Sequence, residues 1–150
     1  MRFRFFMGRC PFLARLVGLP LVGLLMACAS ESAERQVERA FRRCVQSVES
    51  GDAGAAAEAL SKDFEGPEGM KREEARLFLM GTLSRQKVGV TVVSTQLAVR
   101  GRRAEQQVSL LLTGRTGGGL LPEDASRRSF SLRWEKEGSR WKLRELQEVR

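Results

Sequence analysis

LRWEKEGSRWKLREL (Leu132–Leu146) reads as two strands folded back on each other. Leu132 and Trp134 alternate with charged residues and continue an alternation that begins at Phe130, the period of a half-buried strand. Glu137–Arg140 (EGSR) sets a glycine among polar residues, a hairpin signal. WKLRELQEV (Trp141–Val149) then returns as the last strand, and so short a turn makes the two strands antiparallel neighbours.

Upstream, the same period continues. In KVGVTVVSTQLAVRG (Lys87–Gly101), Val88, Val90 and Val92 share one face, and Val93, Thr95, Leu97 and Val99 follow in the opposite phase. A one-residue change of phase within a strand predicts a β-bulge or bend. Arg103–Arg115 alternates Ala104, Gln106, Val108, Leu110 and Leu112, and the glycine-rich Thr116–Ser126 is a loop. Before Lys87 the period is helical. Val37, Ala40, Phe41, Cys44, Val45 and Val48 recur at three and four from Glu34 onward. Gly51 suits the end of that helix and Asp52 the cap of a second, alanine-rich one (Ala53–Ser61). After a loop at Glu65–Gly69, a third helix is expected over Lys71–Arg85, with Ala75, Phe78, Leu79 and Leu83 on one side. The expected class is α+β, three N-terminal helices packed on a bent antiparallel sheet of about four strands.

Three of these stretches, in this order, are similar to recurring elements of one superfamily. ESGDAGAAAEALSKDF (Glu49–Phe64) is similar to its n-x-G-D…l…l…dF stretch, REEARLFL (Arg72–Leu79) to its third helix, and LRWEKEGSRWKLREL to its W-x-x-x-d-G-x-W-x-i-x-x-l hairpin. Over about Ala33–Val149 the chain resembles the nuclear transport factor 2-like superfamily, a cone-shaped α+β fold. The resemblance implies that Gly51-Asp52 makes the corner between two helices, that Phe64 plugs the cone, and that Gly138 with Trp141 sets the last hairpin. It also makes dimerisation through the sheet face an expectation. Proteins of this fold include isomerases, cyclases, dehydratases, ligand binders and scaffolds, so fold alone does not give the function.

The inward strand positions are mostly Val, Leu, Phe and Trp. Thr95 and Gln106 are the polar exceptions; they form hydrogen bonds but are not bases near neutral pH. Trp134 either floors a pocket or fills the core. Phe64, Thr95, Gln106 and Trp134 are therefore the ligand-pocket candidates. The chain has no histidine and no tyrosine, which removes histidine-based triads, most zinc sites and the superfamily's usual catalytic partners. Asp52 and Asp63 are read as helix-end residues, and Glu73 and Glu74 as the acidic first turn of the third helix. TGGGLL (Thr116–Leu121) lacks the Lys-Ser/Thr of a phosphate loop. No catalytic residue, metal set or cofactor is assigned, and Cys44 is read as a core filler.

The N-terminus speaks to location. Met1–Arg15 carries four arginines and no acid, and Leu16–Ala27 carries no charge at all. That is the grammar of an export signal, and it falls short of the roughly 20 apolar residues of a membrane span. Leu25-Met26-Ala27-Cys28 resembles the bacterial lipobox, which implies cleavage after Ala27 and acylation of Cys28; otherwise Cys28 is a small residue at an ordinary cleavage site. Several acyl chains would anchor stably where one binds marginally. Residues 1–27 are thus expected to be a lipoprotein signal peptide, 28–33 a lipidated tether and 34–150 the domain. Removing the leader lowers the formal charge from +8 to +4, since 22 basic and 18 acidic residues remain. Arg100–Arg103 and Ser126–Arg128 are the densest basic clusters and are read as solvated strand ends, not a nucleic-acid site. Ala29 follows Cys28 where an Asp would resemble an inner-membrane retention signal, so the outer membrane facing the periplasm is expected.

The expectation is a non-catalytic envelope lipoprotein. It is anchored to the membrane by lipid and binds an apolar ligand or an envelope protein; a homodimer is compatible with this. The alternative is a lipid-anchored isomerase- or cyclase-like enzyme for a hydrophobic small molecule.

Overall fold

A computed structural model describes residues 31–115 and 126–149. The expected signal peptide, Cys28 with the first part of its tether, and most of the Thr116–Ser126 loop lie outside them. The order is α1 (Ala33–Ser50), α2 (Ala53–Glu58), β1 (Leu60–Glu65), a single 3-10 turn (Pro67–Gly69), α3 (Arg72–Leu83), β2 (Lys87–Arg100), β3 (Arg103–Arg115), β4 (Ser126–Glu137) and β5 (Arg140–Val149).

Local chemistry sets the helix ends. The Ser32 hydroxyl accepts from Arg35 N–H at 3.3 Å to start α1. Gly51 ends it at φ 78°, where the Asp52 N–H reaches Ser47 O at 2.8 Å and the Gly51 N–H reaches Val48 O at 3.1 Å. The Asp52 carboxylate then accepts from Ala55 N–H at 2.9 Å, so one Gly-Asp pair closes one helix and opens the next. The Lys71 N–H donates to the Glu74 carboxylate at 2.7 Å at the start of α3.

The sheet has five strands in the order β1-β5-β4-β3-β2 and is open, with β1 and β2 at its edges. The four antiparallel strands expected from the alternation are β2 to β5. The fifth, β1, lies where the second helix was expected to run on, and it pairs parallel to β5. A short alanine helix has little apolar surface to bury, whereas extending the chain buries Leu60, Ser61 and Phe64 and covers the edge of β5. Asp63 accordingly sits on this strand and not at a helix end, exposed beside Arg144.

Among the described residues, bulges in the antiparallel pairs β2–β3 and β4–β5 bend the sheet. Val92 pairs with Leu110 and Ser94 with Ser109, leaving Val93 as the extra residue that the change of phase predicts. Arg133 pairs with Glu145 and Trp134 with Leu143, leaving Arg144 as the second. The inner face carries Ala104, Gln106, Val108, Leu110, Leu132, Trp134 and Leu143, all buried. The outer face carries Ser109, Ser129, Ser131, Gln107, Arg133 and Glu145, with Ser109 and Ser129 hydroxyls 3.0 Å apart. Val37, Ala40 and Phe41 of α1 pack on the inner face beside Leu60, Phe64 and Trp141.

At one end the cone is tied shut. The Gln36 side-chain oxygen accepts from Trp141 Nε1 at 3.3 Å and from Lys136 Nζ at 3.2 Å, joining the start of α1 to both strands of the last hairpin.

Phe64 is 3% exposed, so Phe64→Ala is expected to lower stability by about 3–5 kcal/mol. Leu77, 67% exposed, is expected to change it by less than about 0.5 kcal/mol as Leu77→Ala. Urea unfolding midpoints check both; equal losses would contradict this placement of the core.

Candidate functional site: an apolar cavity in the cone

The inner face stays apolar past the fully buried core residues, where partly buried side chains pack against them. Val88, Val90, Leu112, Phe130 and Leu146 continue it toward the end opposite Gln36, and all are only half-buried. The helices pass over them without filling the space beneath. The result is a cavity of about 690 Å³, within the size range of small-molecule sites. Phe41, Cys44, Val45 and Val48 of α1 form one wall, and Phe78, Leu79, Thr82 and Leu83 of α3 another. The sheet forms the rest, from Val88 on β2 to Leu146 on β5. Phe78 lines the cavity while 60% exposed, which puts it at the opening.

Trp134 is 1% exposed and forms part of the cavity wall. Its indole Nε1 donates to the Gln106 side-chain oxygen at 2.9 Å, and the Gln106 amide donates to the Thr95 hydroxyl at 3.1 Å. Burying these polar groups is tolerable because each finds a partner. The relay gives the large ring a polar tether from behind, so its position is set by direction as well as by packing. The structure thus brings three of the four pocket candidates together as one bonded row. Only Trp134 of that row lines the cavity; Gln106 and Thr95 stand behind it, Thr95 on the exposed part of β2. Phe64 belongs to the packed core against Gly66, away from the cavity wall.

Sequence reading missed the polar lining residues Thr82, Gln86, Thr113 and Ser126, and gave Cys44 a purely packing role. Cys44 faces the cavity, and burial pushes its thiol from an ordinary 9.0 up to about 11. It is therefore neutral at pH 7, as the apolar wall around it requires. Among the described residues that line the cavity, none is Asp, Glu, Lys or Arg. Among the described residues there is also no cluster of three His, Cys, Asp or Glu side chains able to hold a metal ion.

No family profile matches the chain, and no curated protein matches it in sequence. Solved structures do match it in shape. One is a candidate scytalone dehydratase from Novosphingobium aromaticivorans, with TM-score 0.67 and 15% identity over 78% of this chain and 84% of that one. Another is a nuclear transport factor 2-like protein of unknown function from Pseudomonas putida, with TM-score 0.67 and 10% identity over 78% and 85% of the two chains. The fold is nuclear transport factor 2-like. A candidate dehydratase of the nuclear transport factor 2-like family from Streptomyces avermitilis matches at TM-score 0.65 and 14% identity, over 77% and 94%. At such identities the likeness concerns the cone alone, and a nuclear transport factor 2-like cone serves ligand binding or catalysis equally well.

The Cys44 thiol has a consequence for stability. Between about pH 9 and 11 the unfolded thiol has lost its proton while the folded one keeps it, so the unfolded state binds fewer protons and stability falls as pH rises. The full effect is about 2–3 kcal/mol. Urea unfolding at pH 8 and pH 11 is expected to show a steeper loss for the wild type than for Cys44→Ala; parallel losses would contradict it.

Proposed function

We propose that this chain is a lipid-anchored protein of the bacterial envelope whose cone binds an apolar ligand without transforming it. The observation that carries the reading is the cavity itself, about 690 Å³ and walled by Val, Leu, Phe and Trp. Its one ionisable side chain among the described residues is a thiol that stays protonated at neutral pH. An isomerase or cyclase acting there would need a base and an oxyanion donor aimed at the substrate. The described wall offers hydroxyl and amide groups from Thr82, Gln86, Thr113 and Ser126, which hydrogen-bond a ligand but take no proton from it.

Anchoring rests on the leader, the lipobox-like Leu25–Cys28 and the short tether that follows. Among the described residues no helix is long and apolar enough to cross a membrane. The absence of Asp after Cys28 favours the outer membrane, with the domain in the periplasm. The outer sheet face is largely polar, which suits a solvated surface or a wet homodimer contact.

Two measurements check the two halves separately. An environment-sensitive apolar dye is expected to bind, and Val45→Trp, which projects an indole into the cavity, to weaken it by about tenfold or more with the fold retained. Unchanged dye affinity in that variant would place binding elsewhere. For the anchor, intact mass of membrane-extracted protein is expected to start at Cys28 with added acyl mass, and Cys28→Ser to abolish that mass. An unmodified mature N-terminus would contradict anchoring.

A further inference from the structure

β2 is an edge strand of 14 residues, paired with β3 on one side only. On its other side the Val90 N–H is held by the Glu49 carboxylate at 3.1 Å, so the end of α1 covers the start of this edge. Beyond that point the direction of each residue follows from the hairpin. Gly101, at φ 61°, and Arg102 form a two-residue turn that closes on the Arg100–Arg103 pair. Counting back by antiparallel alternation, Ala98, Gln96 and Ser94 bond to β3, while Val99, Leu97 and Thr95 turn their N–H and C=O outward. Counting forward from Val90 across the bulge at Val93 gives the same assignment. Among the described residues, nothing hydrogen-bonds to those outward backbone groups.

Open edges are commonly guarded by charge, proline or shortness. Val88–Val99 contains no Asp, Glu, Lys, Arg or Pro, and Val92–Gln96 and Ala98 are exposed. A surface of this kind takes up another extended strand, and the sequence of this edge fits its own copy.

We propose that β2 pairs with β2 of a second copy of the chain, antiparallel about a two-fold axis at Leu97. This register brings all the outward residues together at once: Leu97 meets Leu97 of the second copy, and Thr95 meets Val99 in both directions. Moving the axis to Gln96 or Ala98 sets one of them opposite the Val93 bulge or the Gly101 turn. Overlap along the whole strand would need the Val90 edge that Glu49 holds, and would set Lys87 opposite Arg100. The side chains agree with the chosen register. Thr95, Leu97 and Val99 share the inner face with Val108, Gln106 and Ala104, so the half-buried Leu97 and Val99 gain cover from their copies. On the outer face Gln96 meets Ala98. No like charges are opposed, since Arg100 meets Ser94, and Arg102 of each copy comes toward Glu49 of the other. The pairing sets two cones side by side through an edge, leaving the outer sheet face free.

The test is amide hydrogen exchange of the full chain in phosphatidylcholine vesicles at low and high protein density, read residue by residue. The Thr95, Leu97 and Val99 amides are expected to slow about tenfold or more with density, while Ser94, Gln96 and Ala98 stay protected throughout. Two variants on the exposed outer face check the register. Gln96→Lys with Ala98→Lys opposes like charges and is expected to abolish the slowing at unchanged circular dichroism. Gln96→Glu with Ala98→Lys brings opposite charges together and is expected to move the slowing to lower density. Equal behaviour of the two variants would overturn the register. Fast exchange of the edge amides at every density would overturn the pairing, including where the chain dimerises through another face. Protection independent of density would assign the edge to another segment of the same chain and overturn the second copy.

Discussion

The structure turns on a mismatch of coverage. The inner face of the sheet is mostly apolar, with Gln106 its buried polar exception, and three helices must cover it. α1 is tied to the last hairpin through Gln36, so its first half packs tightly and buries Val37, Ala40 and Phe41. Its second half meets the edge strand β2, where Glu49 accepts from Val90 N–H at 3.1 Å, while Cys44, Val45 and Val48, with α3, line the cavity without closing it. A wall left partly uncovered in this way offers apolar surface that a bound apolar group would take out of water. The cavity, its opening at Phe78 and its lack of charge all follow from that spacing. The two bulges matter for the same reason, because a flatter sheet would not curve around a cavity of this depth.

Trp134 is where the packed and hollow parts meet. It fills the core on one side and walls the cavity on the other, and the Gln106 amide with Thr95 behind it fixes where the ring stands. A buried polar row of this kind costs stability if any member is lost. Its value here is geometric, since it keeps a large ring from collapsing into the empty space ahead of it.

Much of this was legible in the sequence, for identifiable reasons. The bulge at Val93 shows because a change of phase leaves a mark in a period-two pattern. The corner at Gly51-Asp52 shows because only a left-handed glycine and a capping aspartate do that work together. β1 was not legible: Leu60 and Ser61 continue an alanine run, and the extended form of Leu60–Glu65 is imposed by the open edge of β5, a tertiary partner. The cavity escaped for a related reason. Val45, Val48 and Cys44 look alike whether the facing sheet touches them or stands away, and that distance is set by where the helices are tied down. Thr95 and Gln106 were placed on the correct face, yet face alone does not say whether a side chain meets a ligand or its own neighbours.

The residues that suggest an address are chemically separate from those that form the cavity, and removing the leader takes half of the formal positive charge with it. Among the described residues the cavity wall carries no Asp, Glu, Lys or Arg, a form suited to holding a molecule that water would not keep dissolved.

The most direct measurement of that claim is native mass spectrometry of the full chain, isolated gently from the cells in which it is made. A bound molecule at one per chain, lost on organic extraction and absent from the Val45→Trp form, is the predicted result. A chain that emerges empty, with a mass unaltered by extraction, would contradict the account.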